Sequence, residues 1–137
     1  MPRQTLFAYA DGYDLDDVAA ELERQFAAFV ASRRWKSPDV WVVNQRDSSA
    51  SDAGDVPQWD LGLNLDLPDP GAETLGWFSD VEAIALFLAQ LHASTGRAFV
   101  IGVQDNEAGF NEDLFTIDSP TPDLARLRAI IGVGPVT

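Results

Sequence analysis

The chain has no cysteine, one histidine and one lysine among its 137 residues. Without cysteine there can be no disulfide, cysteine-ligated zinc or cysteine nucleophile, and nothing indicates an oxidising compartment. Long apolar runs are also missing, since no stretch approaches the roughly 20 apolar residues that span a bilayer. Residues 1–7 lack the apolar core of a signal peptide. The sequence therefore predicts a cytoplasmic protein that does not contact a membrane.

Positive charge is scarce where negative charge is densest. The net charge is −13, and residues 47–125 contain fifteen acids but one base, Arg97, whereas residues 1–46 contain seven acids and six bases. A surface of this sign repels nucleic acid and anionic lipid, and it attracts basic proteins over a screening length of about 8–10 Å at physiological salt. The charge predicts a binding role with a basic protein partner and no nucleic acid.

Length and patterning predict one domain over residues 1–137, because a chain of this size with 46 % apolar residues can bury a substantial core. Apolar spacings of 2.0 and 3.6 residues indicate the order β-α-β-β-α-β-β-α. The predicted strands cover residues 4–10, 40–43, 59–67, 98–103 and 113–117, and the helices cover residues 15–33, 79–95 and 122–131. This order favours an α+β fold, with an antiparallel or mixed sheet and helices packed mainly on one face.

Helix boundaries carry their own residue signals. Asp14 is a candidate N-cap for the first helix, and Ser79 with Glu82 matches a capping box for the second. Gly96 suits the position after a helix end, and Pro122 suits the first turn of the last helix.

Enzyme signatures are missing from the sequence. There is no phosphate-binding loop, dinucleotide fingerprint or nucleophile elbow, and a Ser-His-Asp triad would have to use His92, whose helical position favours a structural role. Residues 105–113 are rich in oxygen ligands but miss the calcium-loop pattern, because its twelfth position is Thr116. A solvated hairpin turn is the favoured reading there, with a calcium site or a partner contact as alternatives. We expect no enzyme activity, no cofactor and no metal site.

The third predicted strand has one acidic side. Large apolar residues alternate with Asp60, Gly62, Asn64 and Asp66, so the acids share the face opposite the core. Like charges on neighbouring strands destabilise a sheet, and residues 47–96 contain no base that could balance them. This uncompensated face is therefore a candidate binding surface.

Two nearby segments extend the candidate surface. Trp77, beside the acidic loop, either packs on the core or serves as an exposed aromatic anchor. The hairpin at residues 105–113 supplies further acids. The candidate partner-binding residues are Asp60, Asn64, Asp66, Asp69, Glu73, Trp77, Asp105, Glu107, Glu112 and Asp113.

In residues 76–82, the following helix, and residues 96–103 and 113–118, the chain resembles the small acidic immunity proteins of bacterial polymorphic toxin systems. These proteins accompany contact-dependent, type VI secreted and Rhs-associated toxins. The resemblance extends over about residues 57–118 and consists of similar size and acidic charge. It implies an inhibitor that covers the basic active-site cleft of a cognate toxin. Alternatives are an acidic interaction module, such as a secretion adaptor or DNA-mimic regulator, and a carboxylate or divalent-metal enzyme.

Overall fold

The computed structural model describes residues 4–11, 15, 17–37, 39–47, 58–67, 76–106 and 109–131. The order β-α-β-β-α-β-β-α is confirmed. The elements are β1 (Gln4–Ala10), α1 (Ala19–Ala31), β2 (Val40–Asp47), β3 (Gln58–Asp66), α2 (Phe78–Thr95), β4 (Phe99–Asp105), β5 (Phe110–Ile117) and α3 (Leu124–Ile131).

The five strands form one antiparallel sheet in the order β2-β3-β1-β4-β5. Alternate apolar residues of the strands, such as Leu6, Leu63 and Ile101, join the three helices in one buried cluster. Phe26 of α1 is fully buried there and contacts Phe99 edge-on, with ring centroids 6.3 Å apart. The predicted α+β class, with an antiparallel sheet and helices packed on one face, is therefore confirmed.

The opposite side of the sheet, which we call the helix-free face, is covered by none of the described helices. Strand alternation and ladder register assign its residues. They are Trp41, Val43 and Gln45 on β2; Asp60, Gly62, Asn64 and Asp66 on β3; Thr5, Phe7 and Tyr9 on β1; Val100, Gly102 and Gln104 on β4; and Asp113 and Thr116 on β5.

The predicted starts of the first and last helices are wrong, and so is the predicted cap of the second helix. α1 begins at Ala19 and not at residue 15, because the amides of Val18 and Ala19 both bond the Leu15 carbonyl in a turn that precedes the helix. The proposed N-cap, Asp14, lies outside the described residues. α2 begins at Phe78 without a side-chain cap, so the Ser79 capping box does not form.

The last helix and the end of α2 have well-defined boundary residues. Asp123 accepts a hydrogen bond from the Arg126 amide at 3.0 Å and so caps α3, which begins at Leu124. The prediction that Pro122 lies in the first turn of this helix is therefore wrong, because Pro122 precedes the cap. Gly96 adopts φ 74° after α2, which confirms the predicted C-terminal glycine. No helix of the described ranges has the length and apolarity that a bilayer span requires.

A buried ion pair fixes the segment between α1 and β2. Asp80 of α2 is 1 % exposed and accepts hydrogen bonds from Arg33 Nη2 at 3.0 Å and from the amides of Lys36 at 2.9 Å and Ser37 at 2.8 Å. The Arg33 guanidinium also lies over the Trp35 ring, 5.2 Å from its centroid. These contacts join α2 to residues 33–37, which lead directly into the edge strand β2.

Candidate protein-binding face

The predicted acids Asp60 and Asp66 of β3 and Asp113 of β5 lie on the same face of the sheet. The register places Trp41 opposite Asn64, Asn64 opposite Phe7, Phe7 opposite Gly102, and Gly102 opposite Asp113. Three strand spacings of roughly 4.8 Å separate the Asn64 and Asp113 positions. The helix-free face is therefore acidic on both sides of an aromatic centre.

The aromatic centre consists of Phe7 and Tyr9, whose rings stack with centroids 5.0 Å apart. Phe7 is 7 % exposed because its ring lies against Gly102. A Cβ at Gly102 would lie 2.2 Å from Phe7 Cζ and 2.3 Å from the Glu112 carbonyl oxygen. Glycine at this position is thus what allows the ring to lie flat on the sheet.

A hydrogen bond joins the aromatic centre to β3. The Tyr9 hydroxyl donates to Asn64 Oδ1 at 2.7 Å, and Asn64 is only 9 % exposed. Burial and the charge of Asp60 raise the pKa of Tyr9 to about 12, although the hydrogen bond to Asn64 acts in the opposite direction. Asn64 therefore lies on the predicted face, but its amide oxygen already accepts the hydrogen bond from Tyr9.

The two β3 carboxylates are partly withdrawn from water. Burial raises the pKa of Asp60. Burial also raises the pKa of Asp66, while the Thr5 hydroxyl, which donates to Asp66 Oδ1 at 3.3 Å, lowers it and the nearby Asp39 raises it. A cation brought by a partner would relieve this unfavourable ionisation, because an opposite charge stabilises a carboxylate.

The other candidate acids are divided between the two sides of the sheet. Asp113 and Glu112 are both exposed, but Glu112 lies opposite Val103 and so belongs to the helix side. Asp105, at the end of β4, lies opposite Gln4 and has the same alternation as Val103. Asp69, Glu73 and Glu107 lie outside the described residues. The structure thus brings Asp60, Asn64, Asp66 and Asp113 to one face, and places Asp105 and Glu112 elsewhere.

Trp77 packs on the core and is not an exposed anchor. It immediately precedes α2, packs against the apolar cluster while partly buried, and contacts Phe78 edge-on with centroids 5.4 Å apart. The exposed aromatic residue of the helix-free face is Trp41, at 37 % exposure. Period-two alternation in residues 5–9 and 41–45 could have identified Phe7, Tyr9 and Trp41, but only the strand order shows that they neighbour the acids.

The remaining chemistry-bearing side chains have structural contacts. The ring of His92 donates through Nδ1–H to the Arg97 carbonyl at 2.9 Å, because a carbonyl can only accept, and this contact ties the end of α2 to the approach to β4. Within the described residues no group of three or more His, Cys, Asp and Glu side chains is placed to hold a metal ion.

Replacing Tyr9 by Phe should destabilise the fold by about 1 kcal/mol at neutral pH, since Asn64 loses its donor. The folded-state pKa of about 12 exceeds the ordinary tyrosine pKa of 10.0, so between these values the native protein retains the phenolic proton that the unfolded chain releases. Wild-type stability should therefore fall as pH rises from 10.0 to about 12, and the difference from Tyr9→Phe should shrink. Urea unfolding at neutral pH and pH 11 measures both effects; a pH-independent difference would contradict this assignment.

Comparison with known proteins gave one structural match. No family model and no curated protein matches the chain. A phage SAM lyase in complex with S-methyl-5′-thioadenosine matches with TM-score 0.38 and 14 % identity, covering 88 % of this chain and 92 % of that one. That neighbour is an enzyme, so the prediction that the chain has no enzyme activity is contradicted. At this TM-score the similarity supplies no argument for a reaction, a substrate or a catalytic residue.

Proposed function

We propose that this chain is an immunity protein, which binds a cognate bacterial toxin through the helix-free face and neutralises it by covering its basic active-site cleft. The observation that carries the proposal is the alignment of Asp60, Asp66 and Asp113 on a face whose described strand positions include no lysine or arginine. The proposed site of action is the cytoplasm, where the toxin would act.

Charge complementarity supports a basic partner. Toxins that process nucleic acids or nucleotides bind phosphate with Arg and Lys, so their clefts attract an acidic surface. The partly desolvated carboxylates Asp60 and Asp66 would gain most from a cation, because burial is the largest influence on the pKa of each and raises it. Such a face steers encounter and selects basic partners.

Aromatic residues support a protein partner over a simple ion. Trp41 at the rim is exposed and Tyr9 is partly exposed, while the buried Phe7 ring stacks on Tyr9 and holds it in place between the acids. A central aromatic patch surrounded by charge is typical of protein interfaces, where the aromatic residues contribute most of the binding energy. A secretion adaptor or DNA-mimic regulator would use the same face, and finding a toxin gene directly upstream would favour the immunity role over these alternatives.

Association kinetics with a basic toxin encoded beside this chain tests the proposal. The association rate constant should approach roughly 10⁸ M⁻¹s⁻¹ at low salt and fall steeply toward high salt. Asp113→Asn should slow association, whereas Glu112→Gln on the helix side should leave it nearly unchanged. The proposal would be overturned by an association rate constant that does not change with salt concentration. It would also be overturned if Asp113→Asn and Glu112→Gln changed that rate constant equally.

A further inference from the structure

The outer edge of β2 pairs with no described strand, because β2 lies at the end of the sheet. The Asp66 amide bonds the Asp39 carbonyl at 3.0 Å, which fixes the ladder so that Trp41, Val43 and Gln45 bond β3. The backbone groups of Val40 and Val42 therefore point outward. A strand placed alongside could bond both residues without disturbing any bond to β3.

The two edges of the sheet differ in their protection. Natural edge strands are blunted by charges, bulges or prolines, which prevent pairing with other chains. β5 carries Glu112 and Asp113, and its ladder with β4 is interrupted at Ile101/Gly102. β2 pairs with β3 over eight consecutive residues without a shift, and its first six residues (40–45) contain no charge and no proline, whereas Arg46 and Asp47 lie at its end. The uncharged part of this edge, residues 40–45, is suited to strand addition.

Acidic side chains flank this edge on both faces of the sheet. On the helix-free face, Asp60 lies opposite Gln45. On the helix side, Glu23 of α1 accepts a hydrogen bond from Asn44 Nδ2 at 2.6 Å, so a carboxylate lies directly over β2. Trp41 is 37 % exposed, and indole rings attract guanidinium groups. Both rows of side chains on an added strand would therefore meet negative charge.

We infer that β2 accepts an extended, arginine- or lysine-rich segment of a protein partner as a sixth strand of the sheet. This inference rests on the proposed function, and it specifies the part of the basic partner that docks. The occupant is a basic segment, because a second copy of a chain with net charge −13 would bring like charge to both faces. Backbone bonds supply affinity in this mode, and alternate side chains supply specificity.

The test uses an eight-residue amidated peptide that alternates Arg and Thr, titrated into the isotope-labelled protein while amide resonances are recorded. The Val40 and Val42 amides should shift downfield and exchange more slowly. Methylating alternate peptide nitrogens should raise Kd at least about tenfold, since it removes the added ladder at constant charge. Val42→Pro should have the same effect, because it removes an outward N–H, whereas Val42→Thr keeps that group and should bind normally.

Each outcome separates this inference from the proposed function. Loss of binding in Asp60→Asn/Asp66→Asn with no effect of peptide methylation would overturn strand addition and retain the acidic face. Sensitivity to methylation but not to Asp60→Asn/Asp66→Asn would support strand addition and contradict the acidic-face function. Absence of any shift at millimolar peptide, or a dimer of this chain that Val42→Pro dissociates, would overturn the basic-segment inference.

Discussion

Replacing Asp80 by Ala should lower the free energy of unfolding by about 3 kcal/mol, because removing one member of a buried pair leaves its partners unsatisfied. Asp80 is 1 % exposed and accepts hydrogen bonds from Arg33 and from the amides of Lys36 and Ser37. The Arg33 side chain is 28 % exposed and can regain some hydration, which favours the lower part of the range for broken buried pairs.

Urea unfolding and native-state amide exchange check the Asp80 prediction together. Exchange of the Lys36 and Ser37 amides should accelerate in Asp80→Ala more than exchange in β1 does. Glu82→Ala, two residues away on the same helix and only partly buried, should change stability by no more than about 0.5 kcal/mol. If Asp80→Ala lowers the free energy of unfolding by less than about 1 kcal/mol, the contacts of Asp80 are not a major source of stability.

Replacing Gly102 by Ala should destabilise the fold by about 2–3 kcal/mol through overpacking. The added Cβ would meet Phe7 Cζ at 2.2 Å and the Glu112 carbonyl oxygen at 2.3 Å, and the second contact is with backbone that cannot rotate away. The Phe7 ring must lift from the sheet, which disrupts its stack on Tyr9. The aromatic centre of the helix-free face therefore depends on this glycine.

Gly109 provides a control that separates the cost of steric crowding from the cost of backbone strain in a Gly→Ala substitution. Gly109 has φ 77° and no neighbour within 4 Å of a built Cβ, so Gly109→Ala should cost only about 1 kcal/mol from its left-handed conformation. In Phe7→Leu/Gly102→Ala the smaller side chain should recover part of the loss, while the contact with Glu112 remains. Equal costs for Gly102→Ala and Gly109→Ala in urea unfolding would contradict the packing argument.

Local patterns in the sequence account for most of the secondary structure. Alternation through residues 59–67 identified β3 and its acidic side, since period two requires no knowledge of neighbours. Gly96 marked the end of α2 for an equally local reason. The role of Asp80 could not be predicted from local sequence, because its hydrogen-bond partners lie more than forty residues away along the chain.

The candidate face depended on strand order, which is a nonlocal property. Insertion of β1 between β3 and β4 brings Phe7 and Tyr9 between the β3 acids and Asp113. No periodicity within a single strand encodes that neighbourhood. The same order assigns Glu112 to the helix side although it is adjacent in sequence to Asp113.

The affinity of two charge-matched double variants for the neighbouring toxin tests the central claim most directly. Asp60→Lys/Asp113→Lys reverses charge on the helix-free face, whereas Asp17→Lys/Glu112→Lys makes the same change at exposed positions outside that face. The first pair should weaken binding by about a hundredfold or more and abolish protection of co-expressing cells, because it places like charge against a basic cleft. The second pair should bind and protect almost as well as the wild type. Equal affinities of the two variants, with both folded, would contradict the assignment of the helix-free face as the binding surface.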